Sequence, residues 1–262
     1  MSRLPASLSG FIDETDNSEK TLMVVNRTEP KPYVDLLSEA FEDQSVTVTE
    51  EQIPEETDDL VCLVEDGTIR ATTPLSELSE AFLLINSDRY RTGTSQSEIG
   101  SFPDVLTGLN DIEFRVSGFP RSAKKKLLLV VISRFIEYRA LKNGTGELHS
   151  IFQRLSRLDD EYGTRQIYEW LGDSDIETHV YGIQDNPDAV ADLGLIVHGG
   201  ETEEYRRSWV VVFTPEHPNT GEDAPGHAAL VATEIDPNVW RSVWTYDVER
   251  TERIRTYIQE RF

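Results

Sequence analysis

The sequence predicts an α/β (α+β) protein, with a mostly antiparallel sheet flanked by helices in the C-terminal part and a smaller N-terminal α/β lobe. Three observations carry this. Short strand-like runs follow one another closely between residues 178 and 246. A long segment from Ser122 to Lys142 has helical character and is apolar nearly all round. A strand, helix, strand order opens the chain after residue 20.

In the N-terminal lobe, Thr21 to Val25 reads as a strand. Pro32 to Glu42 reads as a helix with Val34, Leu37 and Phe41 on one face, and Val46 to Val48 as a second strand. Leu60 to Val64 and Thr68 to Ala71 flank Asp66-Gly67, a hairpin signal because both residues tolerate positive φ. Ser76 to Leu84 follows as a helix after Pro74. From Arg89 to Pro103 the chain is rich in Arg, Thr, Ser and Gly and lacks periodicity, which places a linker there. The expected organisation is a flexible segment over 1–20, a small α/β lobe with its linker over 21–103, and a core over 104–262.

In that core, Leu127, Leu128, Val131, Phe135, Ile136, Tyr138 and Leu141 leave the helix little polar face, so it should be central. Asn143-Gly144 stops it. A second helix is expected from Gly146, with Leu148, Ile151, Phe152, Leu155 and Leu158 forming a stripe and Gln153, Arg154, Ser156 and Arg157 beside it. The strand candidates are 178–182, 193–197, 208–213, 228–234 and 239–246. Their short connections favour antiparallel pairing. The last alternates, with Trp240, Ser242, Trp244 and Tyr246 on one face. A terminal helix is expected over 248–261.

Composition narrows function. The chain of 262 residues carries 48 acids against 25 bases, a formal charge of −23, and its bases are 19 Arg and 6 Lys. Such a surface repels polyanions and is self-repelling unless salt screens it, which fits a saline cytoplasm and disfavours direct nucleic-acid binding. The single basic run, Lys124-Lys125-Lys126, reads as a solvated first helical turn. Cys62 stands alone among apolar neighbours, so it reads as a small buried hydrophobe in a reducing compartment. No run approaches the ~20 apolar residues that span a bilayer, and the start lacks a secretory h-region, so a cytoplasmic protein is expected. Asn26 and Asn143 then carry no glycosylation meaning.

Catalytic signatures are sparse. There is no Walker A loop, Gly-x-Gly-x-x-Gly, Gly-x-Ser-x-Gly or His-Glu-x-x-His. His198-Gly199-Gly200 reads as a turn leaving a strand. His179 and His198 are placed to face each other on neighbouring strands, but a third metal ligand is not nameable. Asp173-Ser174-Asp175 and Glu65-Asp66-Gly67 lack the rest of a calcium loop. His217 and His227 bracket a polar loop from Pro215 to Gly226. No cofactor or metal is expected. The constellation with binding chemistry is Gln153, Arg157, Trp209, Trp244 and Tyr246, which offers stacking surface and a few directional donors. Its competing reading is core aromatics on one strand face, with Arg157 paired to an acid.

Several segments resemble the DICT sensory domain family. They are 132–140 (Ile-Ser-Arg-Phe-Ile-Glu-Tyr-Arg-Ala), 146–149 running into 152–158, Val180-Tyr181-Gly182 with Pro187, 206–213 (Arg-Arg-Ser-Trp-Val-Val-Val-Phe), and Trp244-Thr245-Tyr246-Asp247. Together they span roughly residues 115 to 250, and the N-terminal lobe more weakly resembles stand-alone versions from salt-loving archaea. The resemblance implies an input module in signalling, without assigned catalytic residues and without an established ligand. Signal would then pass to a separate protein partner, because the chain leaves no room for an appended output domain. A small-molecule ligand, a partner protein, an enzyme of unrecognised type using His149 or His198, and a scaffold are the readings carried forward, with the oligomeric state open.

Overall fold

The computed structural model describes residues 4–15, 19–42, 44–54, 56–79, 102–117, 123–160, 162–217 and 226–262. Positions 89–101 of the expected linker, the end of the helix placed at 76–84, and positions 218–225 of the polar loop lie outside the described residues. The fold is α+β, with two mixed sheets. Cα packing divides the chain into one unit of residues 1–14 with 132–262 and a second of residues 15–131, so the division falls inside the long helix and not at the Arg89 to Pro103 stretch.

In the second unit, β1 (Lys20–Val25), β2 (Val46–Glu51), β3 (Leu60–Glu65) and β4 (Thr68–Pro74) pair in the order β2-β1-β3-β4. β1 and β2 are parallel and are joined across α2 (Lys31–Phe41), whose Val34, Leu37 and Phe41 are buried as the periodicity required. Asp66 and Gly67 take φ of 51° and 72° and close the β3–β4 hairpin, which is the left-handed geometry that the Asp-Gly pair announces. Cys62 is buried on β3, and that burial raises its thiol pKa, so it is a packed hydrophobe rather than a thiolate. The Lys20 ammonium is buried but satisfied, by the Gly108 and Asn110 carbonyls at 3.1 and 3.0 Å and by Glu65 at 3.5 Å. Residues 75–79 form α3, and α4 (Asp104–Thr107) and β5 (Phe114–Ser117) follow.

The first unit holds the larger sheet. α5 (Ala123–Asn143) begins in the other unit; in the part that belongs to this one, Ile132, Ile136 and Ala140 are fully buried, Phe135, Tyr138 and Leu141 partly so, and Gly144 takes φ of 81° at its end. Next come β6 (Gly146–Arg154), α6 (Arg157–Asp160), α7 (Tyr162–Gly172), β7 (Ile176–Ile183), a 3-10 turn (Pro187–Ala189), β8 (Ile196–Gly199) and α8 (Glu203–Arg207). They are followed by β9 (Ser208–Thr214), β10 (Ala228–Asp236), β11 (Val239–Thr245) and α9 (Val248–Arg261). Six strands of this unit run in the order β11-β10-β9-β6-β7-β8. The pairings β11-β10, β10-β9 and β9-β6 are antiparallel, whereas β6-β7 and β7-β8 form a parallel wing. α7 makes the first parallel crossover, and a dozen residues with the 3-10 turn suffice for the second.

Two expectations are corrected here. The segment from Gly146 is a central strand, not a helix. Leu148, His149, Ser150 and Ile151 are all buried, because both faces of β6 are covered, and such a strand shows no alternation to separate it from a helix. Gly146 marks the strand's close approach to its neighbour: a Cβ there would lie 2.4 Å from the Thr214 carbonyl oxygen. Within the segment expected to be flexible, residues 8–13 form α1 (Leu8–Asp13). Its Leu8, Phe11 and Ile12 enter the core with Tyr257, Ile254 and Ile258 of α9, and Glu14 grips Arg253 with both oxygens, at 2.7 and 2.9 Å. A helix this short persists only through such packing.

Candidate functional site

Directly opposed residues on neighbouring strands share a sheet face, so register decides which side chains meet. On β6 and β7, His149 opposes His179; on β7 and β8, Tyr181 opposes His198. All four rings therefore lie on one face. His149 stacks on His179 with centroids 4.5 Å apart and planes 13° apart, and Tyr181 stacks on His198 at 4.3 Å and 10°. Across the stacks, His149 Nδ1 lies 3.0 Å from the Tyr181 hydroxyl and His179 Nδ1 lies 2.9 Å from His198 Nε2. The result is a four-ring tile: a hydrogen-bonded His–Tyr pair laid over a hydrogen-bonded His–His pair.

The tile's protons are determined by its partners. Glu177 Oε1 lies 2.8 Å from His179 Nε2, and a carboxylate only accepts, so that nitrogen carries hydrogen. One N–H···N bond then links His179 Nδ1 and His198 Nε2. In the upper layer Glu147 Oε2 lies 3.2 Å from His149 Nε2, which donates, leaving Nδ1 to accept the Tyr181 proton. Burial, then the neighbouring Tyr205 and Glu147, pushes the Tyr181 phenol up and keeps it a donor. Burial holds the His149 pKa down at about 4, with Glu147 opposing and the stacked His179 adding to the depression. Burial and His179 likewise lower His198. Burial raises Glu147, but hydrogen bonds from Arg255 and His149 outweigh it and hold the carboxylate below its usual range.

The tile is wired to α9. Arg255 bridges Glu147 at 2.9 Å and Glu252 at 2.8 Å, and Glu252 meets His227 at 3.1 Å. A continuous polar path thus runs from His227 on the loop before β10, along α9, to His149 and Tyr181.

This arrangement predicts a pH dependence. A His pKa lowered by folding means that the unfolded chain binds more protons between its ordinary 6.5 and about 4. The neutral-His stability is therefore fully present above pH 6.5 and is lost as pH falls toward 4, by about 3 kcal/mol for His149 at order of magnitude. Denaturant unfolding at high KCl from pH 7.5 to 4.5 should show this fall, and His149→Gln should flatten it. An unchanged slope in the variant would exclude His149 as its source.

The tile does not have the geometry of a metal chelate. The His179 and His198 rings lie within 19° of one plane with centroids 5.2 Å apart, so they meet edge to edge along a single N–H···N line rather than converging on a third point. Among the described residues, no group of three or more His, Cys, Asp or Glu side chains is placed to hold a metal ion.

The sequence-selected constellation lies elsewhere and is only partly assembled. Ser150 opposes Val211, Val211 opposes Leu230 and Leu230 opposes Trp244, which places Trp244 on the face opposite the tile together with Trp209. Trp244 is fully buried; Trp209 is half-buried and meets Trp240 edge-on at 6.4 Å. Tyr246 follows β11 and packs edge-on against Phe135 at 6.0 Å. Gln153 donates to the Ser208 carbonyl at 3.2 Å, from the irregular end of β6. Arg157 is exposed on α6. The group beside Tyr246 is not Arg157 but Arg139, whose guanidinium carbon lies 5.3 Å from the Tyr246 ring centre and 5.6 Å from that of Phe135. The i, i+4 spacing of Phe135 and Arg139 on a helix was the available signal.

On the same face, a polar cluster is sealed beneath α5 and α7. Arg134 donates to Glu137 at 2.5 Å and to the Thr164 hydroxyl, the Tyr168 hydroxyl donates to Glu137 at 3.0 Å, and Ser150 donates to Tyr168 at 2.6 Å.

No family model matches the chain, and no curated protein matches it. Among the described residues, no helix is long and apolar enough to cross a membrane.

Proposed function

We propose that this chain is a signal-input module of the DICT kind, working in a salt-rich cytoplasm and passing its state to a separate protein partner. The observation that carries the reading is the chain of contacts from the His179–His198 pair, by ring stacking to His149, and then by hydrogen bond and ion pair to Glu147 on β6 and Arg255 on α9. Such a chain gives a change in charge or contact at one end a physical route to the other, which is what an input module requires. Set against a hydrolase using His149, both nitrogens of that ring are engaged and the side chain has no exposed surface, so it has no route to a substrate proton.

The test is thermal unfolding in high KCl against nucleotides, cyclic dinucleotides, metal ions and small metabolites, with pull-down of partners in parallel. A saturable rise in midpoint, or a specific partner, is expected. A flat panel together with no captured partner would overturn the reading.

A further inference from the structure

In a chain where carboxylates outnumber cations 48 to 25, most partly buried arginines on this fold are paired: Arg27, Arg134, Arg165, Arg241, Arg253 and Arg255 each meet an acid. Arg139 is not. Its Nε donates to the Gly226 carbonyl at 3.0 Å, and its guanidinium lies over the Phe135 and Tyr246 rings. Among the described residues no carboxylate lies at ion-pair distance, and neither terminal nitrogen makes a hydrogen bond. Burial accordingly lowers its pKa, opposed only by Tyr246.

Lying over aromatic rings leaves the guanidinium's N–H edge available for in-plane, two-point contact, the geometry that a carboxylate matches. Gly226 does not crowd that edge: even a Cβ there would sit 3.6 Å from Nη2, at ordinary van der Waals contact. The surrounding charge of −23 disfavours multiply charged anions more than singly charged ones. From these observations we propose that Arg139, Phe135 and Tyr246 form a binding site for a small monocarboxylate with a flat apolar body, held by the terminal guanidinium nitrogens and the two rings. This names a ligand class for the input module and rests on that reading only for its signalling meaning.

The experiment uses benzoate as the probe and benzamide, its uncharged counterpart, as the control, with the full chain at fixed high KCl. Saturation-transfer NMR reads binding, and thermal unfolding reads stabilisation. Benzoate is expected to bind saturably and raise the midpoint by roughly 5 °C near 100-fold excess over Kd, while benzamide does neither. Arg139→Lys, which keeps the charge but loses the fork, should weaken benzoate at least tenfold while still unfolding cooperatively. Arg157→Gln should leave binding unchanged. Equal binding of benzoate and benzamide, undiminished binding by Arg139→Lys, or no benzoate binding would each overturn the site. If benzoate fails while another panel member stabilises the chain, the site falls and the input reading stands. If benzoate binds through Arg139 while the panel and the pull-downs otherwise stay flat, the site stands without its signalling role.

Discussion

Glu137→Gln is expected to destabilise the protein by about 3–5 kcal/mol, the cost of removing one member of a buried ion pair. Glu137 is 2% exposed and Arg134 8%, so water does not replace the lost carboxylate. Tyr168 keeps only a neutral amide oxygen as its acceptor in place of a carboxylate, and it cannot ionise to help, because burial raises its phenol pKa. Denaturant unfolding of Glu137→Gln, Arg134→Met and the double variant Arg134→Met with Glu137→Leu forms the test. The double variant should recover most of the loss, since removing both charges removes the desolvation cost as well as the attraction. The cost of the single variant should also change little between moderate and high KCl, because a sealed pair is poorly screened. A loss under about 1 kcal/mol would mean that water or another carboxylate reaches Arg134.

Trp244→Ala should cost a further large amount, about 3–5 kcal/mol, or prevent folding outright. Its side chain is wholly buried at the antiparallel end of the sheet, opposite Leu230. Trp209→Ala should cost distinctly less, because Trp209 retains exposed surface. Equal midpoints for wild type and Trp244→Ala would show that Trp244 lines a pocket instead of filling the core. The pair of measurements separates the two readings that its sequence position left open.

Local chemistry made much of this legible. Asp66-Gly67 needs two positive φ angles and so encodes its hairpin wherever it lies. Asp247 caps α9 by accepting from the Arg250 amide at 2.7 Å, again a short-range effect. Strand spacing was enough to place His179 and His198 as neighbours. It was not enough to place Gln153 and Arg157 near the aromatic residues. That grouping depended on reading 146–158 as one helix, and apolar spacing has no power to separate a helix from a strand covered on both faces.

What the sequence by itself determined was the α+β class, a helix at 122–142, strands between 178 and 246, and a net charge that disfavours polyanions. Tertiary structure decided the rest. Whether Leu8, Phe11 and Ile12 form a helix depended on a sheet to pack against. That His149 lies over His179 depended on a parallel register between strands joined through a helix. That Arg139, rather than Arg157, meets Tyr246 depended on where α5 passes the end of β11. These are contacts between residues far apart in the chain. They are set by packing and register, which composition and periodicity constrain only as a whole.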